Sequence, residues 1–291
     1  METSPETPAA QPSPASAPAP GVGPASTVPL SPAPKVSQPV QCSIKLALTI
    51  LLFVALMIVA GCFTSRGLNL VLITMLMFLV MLILGKTITR RPLGILINER
   101  NLMSLSRFQM ALWTLIALAA YFTYALARIR AGTPDPLNVQ MDWHLWALMG
   151  ISTTSLVGSP LILTTKKDKD PDPAALQRAA RLNAEPAAEI DANREGTLYG
   201  NASLADACFT DMFQGDEINN TTHIDLAKVQ MFYFTIISAV AFFVMVFSTL
   251  ASPTPELGQL PLLPDGLVAV LGISNAGYLT SKTISHTQEA S

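Results

Sequence analysis

The strongest constraint on this chain is a series of six uncharged apolar runs, at 46–63, 68–85, 108–127, 145–165, 229–251 and 266–281. The first five approach the ~20 residues that an α-helix needs to cross ~30 Å of hydrocarbon. A backbone in lipid must satisfy its own N–H and C=O groups, so runs of this length read as spanning helices. The run at 266–281 holds 16 residues, or 19 if the helix continues to Ile284 with Lys282 snorkelling to the interface. A re-entrant segment is the alternative there. Only 13% of the 291 residues are charged, against about 25% in a soluble domain. The expected fold class is therefore an all-α integral membrane protein of six transmembrane helices.

A duplication organises these runs. At an offset of 121, Gly94 matches Gly215, Ile97 matches Ile218 and Asn98 matches Asn219. Leu105/Leu226, Gln109/Gln230, Met110/Met231 and Thr114/Thr235 continue the series. About forty residues on, Ala147-Leu-Met-Gly-Ile-Ser152 is echoed by Ala269-Val-Leu-Gly-Ile-Ser274 at an offset of 122. The pattern predicts an internal parallel repeat of two-helix units related by a pseudo-twofold axis along the membrane normal. The resulting division is a Pro/Ala-rich tail at 1–42, a transmembrane hairpin at 43–86, repeat one at 87–165, an acidic loop at 166–210, repeat two at 211–285 and a short tail at 286–291. Ser104, Asp142, Asp225 and Asp265 stand where four of the helices should be capped.

Basic residues orient the spans. With both termini cytoplasmic, the outer loops hold only Arg66, Arg128 and Arg130, and the other 15 of 18 Lys and Arg lie inside. That asymmetry follows the positive-inside rule, and Trp143 and Trp146 then lie at the outer interface. Residues 1–42 hold 11 of the 22 prolines and a single basic residue, Lys35. This reads as a flexible cytoplasmic extension without the basic and apolar regions of a secretory signal. The segment 166–227 carries six basic and twelve acidic residues, a net charge of −6. Within it, 173–184 should form a short helix that Pro186 ends, with loop beyond.

Candidate functional residues cluster on the fourth and sixth runs. Gly150, Thr154 and Gly158 recur every four residues, and Gly272, Ala276 and Thr280 match them. A second strip, Ser152, Ser155 and Ser159, corresponds to Ser274, Gly277 and Ser281, with Asn275 beside it. Small residues at this spacing suit close helix packing; the functional alternative is a polar-lined pore or groove. Gln109 and Gln230 open the third and fifth runs and are expected to bond across helices near the cytoplasmic interface. Asn98 and Asn219 occupy matching turns just before them.

Several classes are excluded or disfavoured. The spans carry no titratable group at depth, which argues against a proton-coupled carrier. Phosphate-binding glycine motifs, a nucleophile elbow and HExxH are missing, so the sequence argues against an enzyme. Asp191-Ala-Asn193 resembles the start of a calcium loop, but Ala202 replaces the ligating twelfth residue. The three cysteines show no metal or disulfide spacing, so no catalytic, metal or cofactor site is expected. A net charge of −2 gives no reason for a nucleic-acid partner. The partners expected are the lipid bilayer, a second copy in a homo-oligomer and a cytoplasmic protein. Three readings remain: a structural or signalling scaffold, favoured because packing is the commoner use of small-residue strips, a passive channel lined by spans four and six, and a secondary transporter.

Overall fold

A computed structural model describes residues 44–287. These residues are helical, joined by loops and isolated bridges, with eight α-helices: α1 (Ile44–Phe63), α2 (Arg66–Thr89), α3 (Leu105–Arg130), α4 (Trp143–Thr164), α5 (Pro173–Asn183), α6 (Ala187–Asn193), α7 (Leu226–Ala251) and α8 (Asp265–Thr283). Five of them, α1, α2, α3, α4 and α7, are long and apolar enough to cross a membrane. The chain is thus built as a membrane protein. The sixth run also forms a helix, the 19-residue α8, but it is not among those five. The proline-rich tail, the end of the chain past Thr287 and the cysteine at position 42 lie outside the described residues.

Four helices make the centre of the bundle. α3 packs on α4, α7 on α8, α4 on α8 and α3 on α7, while α2 covers α3 and α7 and α1 lies outermost. α3 is the most enclosed of the spanning helices, and Trp113 and Tyr124 on it are fully buried with Phe242 of α7. α1, by contrast, exposes apolar residues on most of its surface, including Leu48, Leu51, Leu52 and Val59. Such a surface belongs in acyl chains rather than water. α3 and α7 are both 26 residues long and begin 121 positions apart, while α4 and α8 begin 122 apart.

The α1–α2 turn is only two residues long and is stapled to α3. The Arg130 guanidinium donates to Gly61 O (3.0 Å) and Thr64 O (2.7 Å), carbonyls left unpaired at a helix end. α2 stops at Arg90, whose left-handed φ of 60° reverses the chain toward Pro92. The capping expectations are met unevenly. Asp225 accepts from Ala227 N and Lys228 N, and Asp142 from His144 N. Ser104 precedes α3 without a side-chain cap, and Asp265 lies inside α8, whose cap is Pro264. Pro160 sits within α4, which continues through it to Thr164.

The two ends of the bundle differ. At one end, the α3–α4 and α7–α8 loops join through Gln140 N to Gly258 O (2.9 Å) and Leu260 N to Gln140 O (3.0 Å). At the other, the long connection between α4 and α7 folds over the helices. It holds the expected helix as α5, closed by Ala184 at φ 55°, and a further helix, α6, that the sequence did not announce. Ile190, Tyr199 and Ile218 of this connection bury against Ala179 of α5 and Leu102 of the α2–α3 connection. Its apolar core is therefore shared with the membrane domain.

Candidate functional site

The chemistry of the molecule gathers where that connection meets α3, α7 and α8. Asp216 lies at its centre, between three cations that come from different segments. Arg100 Nη2 is 2.8 Å from Asp216 Oδ1, while Lys228 Nζ and Lys282 Nζ are 3.0 and 2.5 Å from Oδ2. The three cationic side chains are only 3–5% exposed, and Asp216 itself 15%. Charges taken out of water at this level require partners, and each cation has a second one. Arg100 Nη1 also donates to Tyr199 O and Asp216 O, and Lys228 to Gln214 O. Lys282 lies 4.8 Å over the Tyr278 ring, a favourable cation–π distance. Burial pushes the Asp216 carboxyl up, but Lys228, Lys282 and Arg100 outweigh it and hold it well below the usual aspartate range.

A second buried pair lies beside it. Lys166 Nζ donates to Glu217 Oε1 (2.6 Å) and to Ile284 O (2.6 Å). The same carboxylate accepts from His286 N (3.0 Å to Oε2) and Thr287 N (2.7 Å). Adjacent acidic residues thus perform two tasks. Asp216 ties the connection to the α2–α3 connection, α7 and α8, and Glu217 ties it to Lys166 just past α4 and to the chain beyond α8.

Beneath the ions runs a hydroxyl seam. Ser106 bonds to Ser155 (3.2 Å) and to Tyr278 (3.0 Å), and Ser159 to Tyr278 (3.4 Å). Deeper still, Asn275 Nδ2 donates to Gln109 Oε1 (3.3 Å). A cavity of about 70 Å³ opens between seam and ions, lined among others by Ser106, Ser159, Tyr278, Asp216, Lys228 and Lys282. At ~15 Å³ for the centre of one water, it has room for a few waters.

The expected residues fall into two groups. Ser152, Ser155, Ser274 and Asn275 are buried between helices, and so is Gln109. Ser152 bonds back to Leu148 O within its own helix. Gly150, Thr154, Ala276 and Thr280 are exposed on the outside of the bundle, with Gly158 and Gly272 half-buried. A methyl group at Gly150 would meet nothing within 4 Å, and one at Gly158 or Gly272 only ordinary contacts beyond 3.5 Å. Within the chain, then, the glycines of this strip do not bring helix backbones together; the serines one step round the helix face inward instead.

The paired positions of the repeat also diverge. Gln109 is buried, whereas Gln230 is exposed. Asn98 closes its own turn, its Oδ1 accepting from Arg100 N and Leu102 N. Asn219 instead binds the end of the chain through His286 O and Thr287 Oγ1, and accepts from Arg178. The physical reason is local. The N-cap amides of α3 and α7 both donate to the last residue of a preceding 3₁₀ turn, Leu96 and Phe213, but across eight and twelve residues respectively. Four extra residues in the second copy displace Asn219 from the place of Asn98.

Sequence reasoning missed the ionic cluster and treated Lys282 as a snorkelling residue; it is buried on Asp216. The available signal was charge at helix ends: Lys228 in the first turn of α7 and Lys282 in the last turn of α8, with Asp216 in the duplicated block. At the other end of the bundle, His144 of α4 bridges the carboxylates of Asp142 and Asp265, joining the starts of α4 and α8. Among the described residues, no group of three or more His, Cys, Asp or Glu could hold a metal. Set against family models, curated proteins and solved structures, the chain matches none of them.

Proposed function

We propose that this chain is a non-enzymatic scaffold of the cell membrane. It would cross six times, with both termini cytoplasmic and two-helix repeats α3–α4 and α7–α8 about a pseudo-twofold axis. Its task would be to hold the folded connection 166–225 at the cytoplasmic surface for a protein partner. The observation that carries the reading is the Asp216–Glu217 junction: buried ion pairs of Asp216 fasten that connection to three segments of the membrane domain, and Glu217 pairs with Lys166 where the connection leaves α4. Rigid presentation is what such anchoring provides. The exposed side of the connection is acidic, with Asp168, Glu189 and Asp206 in solvent, so the partner surface is expected to be basic. Helix starts offset by 121 and 122 positions support the repeat, and the 15-to-3 distribution of Lys and Arg supports the orientation.

A passive channel is the second reading, because the Ser106–Ser155–Tyr278–Ser159 seam leads into a polar cavity. The hydroxyls of the seam bond to one another, which favours the scaffold. The exposed Gly150–Thr154 face favours a homo-oligomer, since its small residues leave room that only another molecule can use. Affinity capture with the full chain in mild detergent tests the main reading. One basic partner, identified by mass spectrometry, should be retained by the wild type and lost by Asp168→Lys with Glu189→Lys. Equal retention by that variant would overturn it.

A further inference from the structure

The end of the bundle away from the folded connection contains a groove of about 790 Å³, formed by the α1–α2 turn and the last turns of α3 and α7. That size lies within the roughly 300–1,000 Å³ of small-molecule sites. Leu68, Val71, Phe247 and Leu250 give it an apolar wall, and Arg66 and Arg130 stand over it. No Asp or Glu lines it. Arg130 spends Nη1 on two carbonyls, which orient the guanidinium without neutralising its charge. The helices on either side present apolar surface, which suits hydrocarbon better than water. Two cations with no acidic partner among the described residues, beside an apolar trough at the level where spanning helices end, match one kind of molecule: an anion with an acyl chain.

We propose that this groove binds an anionic phospholipid, with its phosphate between Arg66 and Arg130 and its chain along Val71 and Phe247. Guanidinium groups suit phosphate because their paired N–H donors match two oxygens. Bound there, the lipid joins the α1–α2 hairpin, which lies outside the repeat, to the ends of α3 and α7. Cations at a membrane surface contribute about a fivefold preference each for anionic lipid, so two give roughly twenty-five-fold.

Native mass spectrometry of the full chain, delipidated and then offered phosphatidylglycerol and phosphatidylcholine in equal amounts, reads this preference. The wild type should retain phosphatidylglycerol in excess, and Arg66→Gln with Arg130→Gln should lose roughly twenty-five-fold of the excess. Arg66→Lys with Arg130→Lys should restore most of it. Removing the same charge at the opposite end of α2, by Lys86→Gln with Arg90→Gln, should leave the preference unchanged; an equal loss there would overturn the site in favour of diffuse attraction. Competition by inorganic phosphate as effective as that of the lipid would overturn the lipid assignment, and displacement of lipid by a second copy of the chain would overturn the occupant. A reading with both arginines intact guards against misfolding. Brominated phosphatidylglycerol should quench Phe247→Trp fluorescence more strongly than brominated phosphatidylcholine, and equal quenching would refute the proposal.

Discussion

Replacing Asp216 by Asn removes the one carboxylate shared by Arg100, Lys228 and Lys282 while leaving the shape of the site nearly unchanged. Three cations that are 3–5% exposed then remain beside each other without a counter-charge. Breaking a buried ion pair in this way costs about 3–5 kcal/mol. An exposed pair offers the comparison: Lys167 and Glu195, 2.6 Å apart but each about a third exposed, should contribute no more than about 1 kcal/mol. Removing Lys282 as well should relieve part of the repulsion. Asp216→Asn with Lys282→Met is expected to cost about 1–3 kcal/mol less than the two single changes added together. Reversible unfolding of the full chain in mixed micelles, followed by tryptophan fluorescence, measures all four variants. A cost below about 1 kcal/mol for Asp216→Asn, equal to that of Glu195→Gln, would refute the reasoning, because Asp216 would then behave as a solvated surface charge.

Acid should separate the same site from ordinary carboxylates. The folded pKa of Asp216 is depressed, so its contribution is complete above the unfolded value near ~3.9 and is lost only as pH falls toward the lower folded value. Stability difference between wild type and Asp216→Asn should therefore stay constant from neutral pH to about 4 and shrink only below it. Glu217→Gln should release the end of the chain, raising hydrogen exchange at the His286 and Thr287 amides while the α3 core stays protected. Glycine substitutions should rank by the space around each position. A methyl group at Gly85 would lie 2.5 Å from Pro92 O, so Gly85→Ala should cost about 1–3 kcal/mol. Gly150→Ala should be neutral or gain up to ~1 kcal/mol from helix propensity, as judged by thermal unfolding of the monomer.

Much of the architecture was legible because hydrocarbon leaves a chain few options. Uncharged runs near twenty residues became α1, α2, α3, α4 and α7, and Asp142 and Asp225 capped their helices as polar acceptors there should. The face that each helix turns inward was harder to read. Gly150 and Ser152 are two positions apart, and the sequence strip gave no sign of which would point to α8, since apolar residues are equally acceptable toward lipid and toward protein. The ionic site was illegible for another reason. Arg100, Asp216, Lys228 and Lys282 are dispersed over more than 180 positions, and only the folding of the connection over the bundle brings them together. Asn98 and Asn219 show the limit of repeat reasoning: matched letters acquired different partners once four residues were added to one turn.

Solute flux across liposomes reconstituted with the full chain tests the scaffold account most directly. Closed hydrogen bonding between Ser106, Ser155, Ser159 and Tyr278 predicts that vesicles release an entrapped ion or small polar dye no faster than protein-free vesicles. Release well above that background, abolished by Ser152→Leu with Ser274→Leu in a variant that still folds, would contradict the scaffold and make the α4–α8 seam a conduction path.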